Sequence, residues 1–87
     1  MMFGPVPQIA LDARPWAPAK TIGPPRGHED HVGDLEAQID DQTELGRGYR
    51  FFLELEEGDL EAIAAGNPVE FVIYAHQMVP VSVQVWK

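Results

Sequence analysis

The chain has no cysteine, a single serine and only six basic residues among 87. Without cysteine there is no disulfide staple and no thiolate chemistry. The lone serine, Ser82, lies in a predicted strand, so no nucleophile elbow exists; a triad with His76 would have to close across one hairpin with no oxyanion donors in sight. No apolar run approaches the length of a membrane span. The N-terminus shows no basic segment leading into an apolar stretch, so no signal peptide is expected. A soluble, cytoplasmic protein is therefore expected.

The shortage of basic charge excludes more. Fourteen acids against six bases give a net charge of −8, and twelve of the acids fall between residues 29 and 61. Binding to a phosphate backbone needs a basic stripe, so nucleic acid is not an expected partner. Anionic membrane surfaces are disfavoured for the same reason. Such acidity suits solubility, or competition for a basic patch on another protein. A mimic of nucleic acid would require these carboxylates to line one surface.

What is present is concentrated in residues 49–86, which read as strand, helix, strand, hairpin, strand. Strict alternation marks a strand with one buried face. Val79, Val81, Val83 and Val85 alternate in this way, as do Val69, Phe71, Ile73 and Ala75, and Tyr49, Phe51, Leu53 and Leu55. Between the first two strands, Asp59 and Glu61 suit the first turn of a helix. Gly66 is a natural stop and Pro68 blocks continuation. Leu60, Ile63 and Ala64 share one helical face, which is expected to cover the valine side of the sheet. His76-Gln-Met-Val would turn the closing antiparallel hairpin.

The opposite face of the sheet carries Phe52, Val72, Tyr74 and Trp86 among polar neighbours. Each large apolar side chain left in water forfeits about 1.5–3 kcal/mol of burial free energy. A cover is therefore expected: the N-terminal arm, a second copy or another protein. The expected contact surface is Phe52, Val72, Tyr74 and Trp86, joined by Trp16 from the arm. A chain this small, with no staples, is a candidate for oligomerisation.

Residues 1–27 hold six of the eight prolines, so most of this stretch should not be helical. Phe3, Val6, Ile9, Leu11, Trp16 and Ile22 set it apart from a disordered tail. It is expected as an extended, proline-rich arm with short edge strands at Gln8–Leu11 and Lys20–Ile22, leading into a single domain over 28–87. Within that domain, 34–40 is read as a strand paired with 49–56, through a polar loop in which Gly46 and Gly48 supply any left-handed positions.

Gly27-His-Glu-Asp-His is the one segment with metal-ligand chemistry. Its spacing departs from His-Glu-x-x-His, and the preceding Pro-Pro-Arg-Gly favours a loop. His28, His31 and His76 are the metal candidates, set against a plain solvated loop, and no cofactor is expected. No phosphate-binding loop is present, because Gly46-Arg-Gly lacks the downstream glycine and helix.

The segments Leu55-Glu-Glu-Gly-Asp-Leu-Glu-Ala-Ile-Ala-Ala-Gly, Val69-Glu-Phe-Val-Ile-Tyr and Gln77-Met-Val-Pro-Val-Ser-Val resemble a class of small proteins from phages of actinobacteria. The resemblance covers residues 49–86 and implies a phage accessory protein. The expected fold is α+β: a small, mostly antiparallel sheet, one short helix and the arm. The expected function is non-catalytic, through protein contacts, with self-association and with a host protein as a further partner. The rival expectations are a virion structural or decoration subunit, and a protein that sequesters a small ligand or metal.

Overall fold

The computed structural model describes residues 1–24, 26–27, 29–30, 33–73 and 81–87. In chain order the elements are β1 (Met2–Gly4), α1 (Gln8–Ala13), β2 (Ala19–Ile22), β3 (Leu35–Thr43), β4 (Gly46–Arg50), β5 (Phe52–Glu54), α2 (Asp59–Ala64), β6 (Val69–Ile73) and β7 (Val81–Val85). The fold is α+β, and every described strand pair is antiparallel. The strands form three small sheets rather than one: β1–β5, β2–β3–β4 and β6–β7. No described helix is long and apolar enough to cross a membrane.

The first 24 residues contribute strands and a helix. β1 pairs with β5, placing Phe3 opposite Leu53, and β2 pairs with β3, placing Ala19 opposite Gln38. β2 includes the expected edge strand at Lys20–Ile22. The other expected edge strand, Gln8–Leu11, is instead the start of α1. The prolines account for this. Pro7 occupies the N-cap with φ −73°, where its missing N–H removes no helical bond. The next proline is Pro15, so 8–13 can wind without interruption.

β3 and β4 form a hairpin in which Ile39 lies opposite Tyr49, as the strand reading of 34–40 and 49–56 required. The strands extend into the expected loop and leave Glu44 and Leu45 as the turn. Gly46, at φ 95°, supplies the left-handed position of that turn. Gly48 has no such conformation; it pairs with Asp40 inside the ladder. After Arg50 the chain changes sheet: Phe52–Glu54 pairs with β1 instead of β3. The single strand expected over 49–56 is thus two short ones.

α2 stops as its sequence predicts. Gly66 adopts φ 88°, its N–H donates to Ile63 O, and the Asn67 N–H donates to Ala62 O. These paired bonds satisfy carbonyls that the helix end would otherwise orphan. The buried face of α2 is a different matter. Asp59 and Ala62 point inward, while Leu60, Ile63 and Ala64 are exposed. The contacts of Asp59 with Met1, Lys87 and the Glu56 N–H turn its side of the helix inward, so Ala62 goes inside with it and the Leu60, Ile63 and Ala64 face looks outward.

Among the described residues, the buried apolar ones are small: Val6, Ala10, Ala17, Ala37, Ala62, Val83 and Val85. No leucine, isoleucine, phenylalanine, methionine or tryptophan is among them. Three polar residues, Gln38, Asp40 and Asp59, are buried with them. Small residues and hydrogen bonds hold this interior together, and most large apolar side chains lie outside it.

Candidate functional site

An open apolar face is the most prominent feature of the surface. Its centre is Phe3 on β1, whose ring meets Phe51 edge-on at 5.8 Å and Phe71 at 6.2 Å between centroids. Leu53 shares the face of Phe3 by register. Val69 and Ile73 share that of Phe71 by alternation along β6. Val69, Phe71 and Ile73 are 47%, 53% and 58% exposed, and Leu53 is also exposed. Their neighbours on β7 differ: Val83 and Val85, opposite Phe71 and Val69, are buried. β1 and α2 both pack against β7. The cover thus closes over Val83 and Val85 and only touches β6 through the Phe3 ring, so the β6 half of the same face stays about half exposed.

Three buried polar side chains fix the strands that carry this face. Asp59, at the first position of α2, gathers both ends of the chain. Its carboxylate pairs with the Met1 α-amino group, and Lys87 Nζ stands 3.0 Å from Oδ1. The Glu56 N–H donates to Oδ2 at 2.7 Å, and the Asp59 N–H donates back to Glu56 O at 3.1 Å. The Met1 ammonium, the Glu56 amide and the Lys87 ammonium hold the Asp59 carboxyl well below the usual carboxylate range, against the opposing effect of burial. The same contacts, Asp59 first and Glu56 after it, raise the Met1 amine above its ordinary value. The consequence for the open face is positional: Met1 is anchored, so β1 and Phe3 are placed beside β7.

Gln38 on β3 anchors the other end of the first segment. Its Nε2 donates to Ala10 O and to Ala17 O, both at 3.0 Å, from a fully buried position. Asp40, two residues on, accepts from the Trp16 indole N–H at 3.1 Å, from the Gln42 N–H at 2.8 Å and from Arg50 at 2.7 Å. The Gln42 amide, Arg50 and Trp16 together lower the Asp40 pKa, against burial. These carboxylates are engaged by cations and N–H groups, which makes them anchors for backbone and termini.

The residues predicted for the contact surface are spread over several elements. Trp16 stands in the turn before β2, half-exposed, with its N–H tied to Asp40. Phe52 is half-buried on β5, opposite Gly4. Val72 and Trp86 share one face of the β6–β7 sheet, with Val72 half-buried and Trp86 half-exposed. Tyr74 lies outside the described residues, as do His28, His31 and His76. The described ring contacts join Phe3, Phe51 and Phe71 and include neither tryptophan nor Phe52. Among the described residues, no group of three or more His, Cys, Asp or Glu is arranged to hold a metal ion.

Sequence reasoning assigned Phe51, Phe71, Val69 and Ile73 to the side sheltered by the helix. Their alternation was the right signal for a shared face, but it carried no information on whether that face would be covered. Compared with known proteins, the chain matches no family model, no curated protein and no solved structure.

Proposed function

We propose that this chain is a non-catalytic contact module that self-associates through the face formed by Phe3, Leu53, Phe51, Val69, Phe71 and Ile73. That role accords with the phage accessory function implied by the resemblance of residues 49–86. The observation that carries the reading is the inversion of burial: alanines and valines inside, aromatic and branched side chains in contact with water.

Area supports the same reading. A folded monomer of 9.7 kDa is expected to expose about 5,100 Å². This chain exposes 6437 Å². The excess, about 1,300 Å², exceeds the roughly 800 Å² that each partner contributes to a standard interface.

Sedimentation velocity over a wide concentration range tests the proposal. The expected result is a mass above that of one chain, reverting to one chain in Phe71→Asp with the circular dichroism spectrum unchanged. Because each copy carries a charge of −8, added salt should strengthen the association by screening repulsion. A strict monomer at every concentration and ionic strength overturns the proposal.

A further inference from the structure

The outer edge of β6 gives this self-association a specific geometry. The Trp86 N–H donates to Pro68 O at 2.9 Å, which makes 68 and 86 a hydrogen-bonded pair of the antiparallel ladder. Such pairs recur every second residue. Glu70 with Gln84 and Val72 with Ser82 are therefore the pairs bonded to β7. It follows that Val69, Phe71 and Ile73 aim their N–H and C=O groups away from β7, along an edge that no described strand occupies. The β7 side of the sheet is flanked by β1 and α2, so among the described elements β6 is the edge left uncovered. An apolar strand with an unpaired edge is a template for another strand.

Resting on the self-association proposed above, we infer that two copies join β6 to β6 as antiparallel neighbours, with Phe71 of one chain opposite Phe71 of the other on the two-fold axis.

Three constraints select this register. The outward-facing groups belong to the odd positions 69, 71 and 73, so odd residues must face odd residues. Sliding by two in one direction sets Glu70 against Glu70 of the second copy, a like-charge pair in closest cross-strand approach, which is destabilising. Sliding by two in the other direction sets Val72 against Val72 and leaves Val69 and Glu70 without a partner inside β6. The Phe71-centred register sets Val69 against Ile73 and Glu70 against Val72, and keeps all five residues of β6 paired. Glu70 remains free to accept from Gln84 of its own chain, as it does at 2.6 Å. The product is a four-stranded sheet, β7–β6–β6–β7, in which Phe71 packs beside Phe71 and Val69 beside Ile73 of the second copy, so the association covers the flanks of the β6 side chains that are open in one copy. Each β6 edge is used once, so the assembly closes at two copies.

The absence of native cysteine makes disulfide mapping direct. Glu70→Cys and Val72→Cys proteins would be mixed in equal amounts and oxidised, and the products sorted by mass. Directly opposed positions in an antiparallel pair lie within disulfide reach, and diagonal ones about 7–8 Å apart lie outside it. The expected result is a several-fold excess of the mixed 70-to-72 disulfide over both self-linked products. Val69→Cys mixed with Ile73→Cys is the second pair, at exposed positions that the fold does not need, and should behave alike. A dimer that forms no mixed product in either pair, or that links each variant to itself, overturns the strand pairing while self-association stands. A protein that sediments as a monomer removes both.

Discussion

Replacing Gln38 with methionine removes a buried side chain that ties α1 and the following turn to β3, at nearly constant volume. The native amide donates two hydrogen bonds, to Ala10 O and Ala17 O. Each contributes about 1 kcal/mol net, and the Ala17 carbonyl, left without its Gln38 donor, costs about 1–3 kcal/mol more, whereas Ala10 O keeps the Arg14 N–H at 3.1 Å. Against this, methionine also removes the Gln38 Oε1 atom, which is buried with no hydrogen-bond partner, and that relieves about 1–3 kcal/mol. The net expectation is a destabilisation of about 2 kcal/mol. For an 87-residue chain total stability is about 4–13 kcal/mol, so the loss is large. Urea unfolding followed by far-ultraviolet circular dichroism should show the midpoint falling by about 1–2 M. Hydrogen exchange should rise first in residues 8–22. Gln38→Glu provides the sign test. Its carboxylate turns two donors into acceptors facing two carbonyl oxygens, so at neutral pH it should be worse than methionine. Acid should restore part of the loss, because the protonated carboxyl regains one donor. A methionine variant whose midpoint moves by less than about 0.3 M, or a glutamate variant as stable as wild type, would refute this account of the interior.

Two further expectations concern the buried carboxylates. Asp59 titrates below its unfolded value, so its contribution is present above about pH 4 and is lost as pH falls through its depressed pKa. The Met1 amine titrates above its unfolded value, so its contribution is complete below about pH 8 and is lost as pH rises through the folded value. Thermal unfolding against pH should therefore show a plateau that declines on both sides; acetylating the amine should abolish the alkaline decline and lower the plateau. At Asp40, substitution by alanine frees the Trp16 indole N–H and leaves Arg50 without its carboxylate. The tryptophan emission should shift to longer wavelength and the melting temperature should drop by several degrees. An unchanged spectrum would show that Trp16 is held by something else.

Local signals were legible where the chemistry was local. Gly66 ends α2 because a left-handed residue there costs glycine little, and Gly46 turns the β3–β4 hairpin for the same reason. The pairing of β6 with β7 follows from alternation and a short connection. α1 was missed because proline content was weighed over the whole first segment, whereas spacing governs: Pro7 and Pro15 bracket a run that can wind. The burial of Gln38, Asp40 and Asp59 carried no local signal, although Asp59 was legible as a first-turn acid. The partners that bury them are distant in sequence, as with Gln38 and Ala10, Asp40 and Arg50, or Asp59 with Met1 and Lys87.

By itself, the order of residues determined an acidic α+β chain, its main strands, the helix at 59–64 and which side chains stand on a common face. Periodicity and turn chemistry depend only on near neighbours, so they can be read without coordinates. Tertiary structure alone decided which of those faces is roofed. α2, turned by Asp59 and the chain ends so that Asp59 and Ala62 face inward, packs against β7, and Val69, Phe71 and Ile73 on β6 are left in contact with water.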